Sequence, residues 1–238
     1  IAVKRDTQLP IFHSIYKIGI SFKAQEEVIV HSHSANYCLA IGLICRLLYG
    51  HKVIHTYHTP IEKLNWSFFF TRFSDAIVYV SAASRELYHS YGVIEHAEEV
   101  LIPGGVDLSK FNNKNCYRHG NRKNILFVGR IDEEKGIKEL IHAVSKVKCS
   151  FVLSIIGSAQ TKKQEEYLAD VIGLVSSLEL NDHVKFFGSV QGERLNDIYK
   201  AADIFVLPSI CNESAPMVIA EAFAAALPII SFRTDGIE

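Results

Sequence analysis

The sequence predicts an α/β protein built from two parallel sheets. Short runs rich in β-branched residues alternate with longer amphipathic stretches along the chain. That is the rhythm of βα units whose helices cover both faces of a parallel sheet. The rhythm breaks once, at PGGVDLSKFNNKNCYRHGNRK (103–123), a stretch rich in Gly, Asn and Lys with little apolar pattern. Such composition marks a connection between domains. A chain of 238 residues has room for one or two domains.

Taken in order, the first strands are expected at 27–32 (EVIVHS), 52–57 (KVIHTY), 75–80 (DAIVYV) and 98–103 (EEVLIP), with helices near 35–48, 61–72 and 82–90. A second series begins at 124–129 (NILFVG) and continues at 151–157, 183–188, 203–208 and 227–232. Helices fit between these strands at 136–147, 161–179, 191–201 and 215–226. The crossovers should be right-handed. The stretch KLNWSFFFTRFSD (63–75) sets five aromatic residues beside Lys63 and Arg72. It reads as a buried helix feeding the next strand, with an interfacial membrane helix as the alternative.

Composition narrows the function. The formal net charge of -1 argues against a nucleic-acid binder. No apolar run reaches the roughly 20 residues of a membrane span. Five cysteines without a C-x-x-C pair point to free thiols in a reducing cytoplasm. No G-x-G-x-x-G follows a predicted strand and no G-x-x-x-x-G-K-[ST] occurs, so dinucleotide and P-loop sites are not supported. The first residue is Ile and the last follows a turn just after a strand, which reads as a fragment of a longer protein.

In open α/β sheets, ligands sit outside the carboxyl ends of the strands, so the residues there carry the chemistry. After 124–129 comes GRIDEEKG, where Gly129 permits close backbone approach and Arg130 and Lys135 bracket a helix start. Two cations beside free helix N–H groups suit a diphosphate. The bland alternative is a solvated charge cluster, because Asp132, Glu133 and Glu134 lie between them. After 203–208 comes SICNESAP, with Glu213 at the loop's end and Pro216 expected in the first helical turn. Backbone N–H groups around Ala215, Pro216 and Met217 would face whatever binds there.

Glu221 is the one charged residue between Pro216 and Ala226. It stands about 12 Å from Glu213 along a helix rising 1.5 Å per residue. That separation suits two parts of one extended ligand better than a shared metal. A nucleotide-sugar fits these parts, with carboxylates on hydroxyls and cations on the diphosphate. The alternatives are a dipole-stabilised N-terminal carboxylate for Glu213 and an ion pair with a core Arg or Lys for Glu221. Eight of 11 histidines precede residue 100, and His31, His33, His55 and His58 cluster at two strand ends. His58 is the first candidate among them for a site residue. Their spacing lacks the further ligands of a zinc site.

E-SAPMVIA-E, at 213–221, resembles the E-x7-E signature of retaining glycosyltransferase family 4, the GT-B fold. FVGRIDEEKG is similar to that family's phosphate-binding stretch, VLIPGGVDLSKF to its interdomain phrase, and HSHSANYCLA and HTYHTP to its N-terminal strand ends. These pieces run in order through nearly the whole chain. The resemblance implies two Rossmann-like parallel-sheet domains facing across a cleft, both incomplete. The acceptor-side domain would cover 1–107, a linker 108–121, and the nucleotide-sugar-binding domain 122–238.

The implied reaction moves a hexose from a UDP- or GDP-sugar to a glycan or lipid-linked acceptor, in the cytoplasm or at the inner face of its membrane. Glu213 would contact the donor sugar, Glu221 the ribose, Arg130 and Lys135 the leaving diphosphate, and His58 would lie near the reacting sugar. No D-x-D occurs, so no metal and no other cofactor is expected. The family pattern has Gly after the first glutamate and Gly before the later proline, where this chain has Ser214 and Ala226–Leu227. If Ala226 takes φ > 0, it is strained by about 1 kcal/mol. A non-catalytic nucleotide-sugar-binding fragment and a GT-B nucleotide-sugar epimerase are the alternatives.

Overall fold

The computed structural model describes residues 28–33, 37–58, 68–92, 97–111, 121–234, 236 and 237. The chain divides into two compact units, Ile1–Pro103 and Gly104–Glu238.

In the first unit, β1 (Ile29–His33), α1 (Tyr37–Tyr49), β2 (Lys52–Tyr57), α2 (Phe68–Thr71), β3 (Ala76–Tyr79), α3 (Ala82–Ser90) and β4 (Glu98–Leu101) follow one another. The four strands are parallel, in the order β1-β2-β3-β4. Tyr57, Ile77, Tyr79 and Tyr88 form a buried cluster on this sheet. Asp75 ties the start of β3 to its neighbours, accepting the Val53 N–H at 2.8 Å and pairing with Arg46. Helix α3 opens with a capping box in which Ser81 and Ser84 each accept the other's backbone N–H, satisfying two orphan donors.

In the second unit, α4 (Leu108–Phe111) precedes β5 (Lys123–Val128), a 3₁₀ turn (Glu133–Lys135), α5 (Ile137–Val144), β6 (Phe151–Ile156), α6 (Lys162–Ser177), β7 (Val184–Gly188), α7 (Glu193–Ala201), β8 (Ile204–Leu207), α8 (Met217–Ala224) and β9 (Ile229–Ser231). The strands are parallel, in the order β7-β6-β5-β8-β9. One core runs through the unit, with Phe127, Leu153, Ile155, Val171, Tyr199 and Phe205 at its centre. β5 and β6 are apolar on both faces because helices cover both. Each unit is a Rossmann-like α/β sheet, and the fold is GT-B-like.

Every expected strand forms, with ends within two residues of those predicted, and the differences lie elsewhere. The sequence ends the first domain at 107 and gives 108–121 to a linker, whereas the compact units divide after Pro103. Residues 108–111 coil into α4, and Phe111 buries itself in the second core. Two apolar residues in a four-residue helix, Leu108 and Phe111, are too few to carry a helical period, so this was not legible in the sequence. The aromatic stretch at 63–75 falls partly outside the described residues. Its described part keeps Phe70 and Phe73 exposed, with the Arg72 guanidinium 5.6 Å from the Phe73 ring centre. That is less burial than the sequence suggested.

Helix α8 begins at Met217, two residues later than expected, with Pro216 as an extended N-cap at φ -71° and ψ 111°. The helix is also less enclosed than its apolar sequence implies, since Phe223 is 68% exposed.

Candidate functional site

After β5 the chain steps outward to β6 and β7, then returns to place β8 on the other side of β5. The crevice outside the carboxyl ends of β5 and β8 is therefore the topological switch point, where such sheets bind ligands. Two loops meet there, 129–136 and 208–216. The Ile210 N–H donates to the Glu134 carbonyl at 2.9 Å. Gly136 sits at φ +66°, and a Cβ there would lie 1.9 Å from the Pro208 carbonyl oxygen. Only glycine permits both that conformation and that approach.

This junction joins two of the residues the sequence singled out. The Lys135 ammonium donates to Glu213 Oε1 at 2.6 Å, and the two side chains are 11% and 12% exposed. The Ser209 hydroxyl donates to the same oxygen. Ser214, beside Glu213, is buried, and its hydroxyl has no hydrogen-bond partner among the described residues. The arrangement holds a mostly buried charge pair at a strand end. Removing either partner would leave the other charge uncompensated.

The structure does not join Arg130 to this pair. Its guanidinium turns to Glu134 and, at 3.9 Å, to Asp132, and its side chain is 57% exposed. The Gln164 amide, which donates to Asp132 at 2.8 Å, is the main reason that carboxyl titrates below its usual range, with Arg130 contributing less. Gly129 lies under the Phe127 ring, and its N–H donates to the Ile156 carbonyl. It is packed against its own sheet. Ala215 and Pro216 are partly buried, Met217 is exposed, and no side chain caps the start of α8.

Glu221 serves a separate, neighbouring feature. It lines an open cavity of ≈ 450 Å³ with Gly105, Asp107, Lys110, Glu193, Asn196 and Met217, within the size range of small-molecule sites. The partner of Glu221 is not the core Arg or Lys that its sequence setting suggested. The Tyr199 hydroxyl donates to its Oε2 at 2.7 Å. Burial, and then the nearby carboxylate, push the Tyr199 phenol far above its ordinary range, so it stays a donor. Sequence reasoning missed Tyr199, Asp107, Lys110, Glu193 and Asn196. Tyr199 sits on the apolar face of α7, where an aromatic reads simply as core, and the others carried no signal.

In the first unit the carboxyl ends of β1 and β2 carry imidazoles. His33 Nδ1 and His58 Nε2 share a hydrogen bond at 2.8 Å, and His31 Nε2 lies 2.7 Å from the Thr56 hydroxyl. These lie on one face of the sheet, as their alternation along β1 and β2 requires. On the other face, His55 is buried with its Nδ1 2.7 Å from the Ser32 hydroxyl. Burial first, and then the neighbouring imidazoles, lower His55 to about 4. His31 and His58 are lowered for the same reasons. Among the described residues, no group of three or more His, Cys, Asp or Glu is arranged to hold a metal ion.

The glycosyl transferases group 1 profile matches residues 109–238, more than half of the chain, and the Glycosyltransferase Family 4 profile matches 21–110. The chain belongs to the glycosyl transferases group 1. Within this family it is 37% identical over 119 residues to "Uncharacterized glycosyltransferase MJ1607" of Methanocaldococcus jannaschii, a match over 49% of this chain and 29% of that protein. It is 26% identical over 238 aligned residues to a D-inositol 3-phosphate glycosyltransferase of Pseudarthrobacter chlorophenolicus, covering 88% of this chain and 55% of the relative. The chain thus spans about half the length, or less, of these curated relatives. Among solved structures, Anabaena Alr3699/HepE in complex with UDP-glucose superposes with a TM-score of 0.77 at 18% identity, over 96% of this chain and 66% of that one. That likeness is one of fold. No helix among the described residues is long and apolar enough to cross a membrane.

Proposed function

We propose that this group 1 glycosyltransferase chain takes part in moving a hexose, with retention, from a UDP- or GDP-sugar to a glycan or lipid-linked acceptor. The observation that carries this reading is the Lys135–Glu213 pair at the β5/β8 switch point, with Glu221 lining a cavity eight residues along the same segment. The cavity's charged groups are three carboxylates, Asp107, Glu193 and Glu221, against one ammonium, Lys110. Such a lining repels phosphate and accepts hydroxyl hydrogens. It is therefore the nucleoside end, with Glu221 on the ribose.

The diphosphate lies toward Lys135 and the uncapped start of α8. Arg130, long and largely exposed, leaves Glu134 to join it at little cost. Glu213, whose Oε1 is taken by Lys135 and Ser209, meets the sugar hydroxyls with Oε2. In the transfer, the bond from sugar C1 to the diphosphate oxygen breaks and a bond from C1 to the acceptor oxygen forms. The acceptor's proton leaves with the diphosphate. Fixed positive charge at the leaving oxygen lowers the barrier, and no metal is needed in this reading. The UDP-glucose bound by the HepE structure is of the proposed donor class.

A thermal-shift and calorimetric screen of UDP, GDP, ADP and their sugars tests this reading. At least one nucleoside diphosphate should raise the melting temperature, since a ligand specific to the folded state must do so. Arg130→Ala should weaken that binding by about 1.5–3 kcal/mol, the worth of a charged hydrogen bond. In the full-length protein, Glu213→Ala should abolish transfer while leaving the fold intact. The absence of any nucleotide-dependent shift, or wild-type turnover by Glu213→Ala, rejects the reading.

A further inference from the structure

We infer that Tyr199 is a positioning residue that fixes the Glu221 carboxylate for ribose recognition, an inference resting on the nucleoside reading of the cavity. The Tyr199 ring is fully buried. It stands edge-on to Phe111, with centroids 5.5 Å apart at 84°, and stacks on Phe205 at 5.9 Å and 30°. A ring clamped between two aromatics has little freedom left at either side-chain torsion. Its hydroxyl is thereby held 2.7 Å from Glu221 Oε2.

That bond takes one oxygen of the carboxylate and stops the side chain from rotating, leaving Oε1 for a ligand in the cavity that Glu221 lines. A diol reader needs this constraint. A free carboxylate samples several rotamers, and ordering it on binding costs affinity. Phe111 adds a connection along the chain. It comes from α4, and Lys110 of that helix and Asp107 just before it line the same cavity. The helix that follows the division between the units thus sets both the cavity's wall and, through Tyr199, the aim of its carboxylate.

The test is calorimetry on the 238-residue protein with UDP, GDP and ADP and their 2′,3′-dideoxy counterparts. The wild type should prefer the ribose form of its best nucleotide by roughly tenfold or more, as expected for a charged hydrogen bond. Tyr199→Phe should cut that preference to within about threefold and leave dideoxy affinity unchanged. Phe111→Leu, which loosens the ring but keeps the hydroxyl, should cut it less, and it supplies the test if Tyr199→Phe fails to fold.

A general structural role for Tyr199 would lower ribose and dideoxy affinities together and keep their ratio, and that outcome overturns the inference. Glu221→Gln separates the two levels. If it removes the preference while Tyr199→Phe and Phe111→Leu both retain it, the positioning role is wrong and the nucleoside reading stands. If the wild type shows no ribose preference, or Glu221→Gln leaves it intact, the nucleoside reading fails and the inference with it.

Discussion

The two units share a parallel-sheet plan but end their strands in different chemistry. At the carboxyl ends of β1 and β2, His31, His33, His55 and His58 interlock through single hydrogen bonds to one another, Thr56 and Ser32. At the carboxyl ends of β5 and β8, a lysine and a carboxylate are paired, and the loops that carry them are locked by backbone contacts. The topology decides where functional groups gather, and the side chains decide what kind of function they support. Imidazoles suit proton-sensitive contacts. A buried lysine–carboxylate pair suits the recognition of phosphate and hydroxyls.

The difference can be broken or sharpened by experiment. The largest effect should come from Gly136→Ala. A Cβ there meets the Pro208 carbonyl in a left-handed conformation, so strain and overpacking together should cost about 4 kcal/mol. Urea denaturation would report this, and a neutral outcome would mean that the loop junction is not rigid. Lys135→Ala should cost about 3 kcal/mol, because Glu213 is left as an unpaired, mostly buried carboxylate. A double variant with Glu213→Gln should recover part of that loss.

The first unit should instead respond to pH. His55 titrates at about 4 in the folded protein against 6.5 in the unfolded chain, so the unfolded state binds the proton more readily. Its contribution is fully present above pH 6.5 and is lost as pH falls toward 4. Between pH 7.5 and 4.5 that loss should be about 2.5 kcal/mol. His55→Phe should flatten the slope of stability against pH, and an unchanged slope would put the acid sensitivity elsewhere. The smallest effect belongs to Ala226, which adopts φ 55° after α8. Ala226→Gly should stabilise the protein by about 0.5–1 kcal/mol, visible as a higher melting temperature.

Much of this was legible in the residues. VIVH, KVIHTY and NILFVG are strands because β-branched and aromatic runs fit a sheet covered on both faces. The strain at Ala226 could be read from the place where a glycine would normally end the helix. Lys135 and Glu213 could each be picked out by their place after a strand. Their direct pairing could not, since 78 residues separate them and the strand order that brings β5 beside β8 leaves no local trace. The same holds for Arg130. Its sequence offers three carboxylates and a ligand as partners, and only the loop's shape turns it to Glu134.

The amino-acid sequence by itself determined the two α/β units, the strand ends at which chemistry collects, and the charged residues placed there. These follow from local periodicity and from a general rule of parallel sheets. Only the tertiary structure decided that Phe111 belongs to the second core, that Tyr199 holds Glu221, and that Lys135 neutralises Glu213. Those are contacts between segments far apart in the chain. Their energies depend on packing and desolvation, which exist only once the chain has closed on itself.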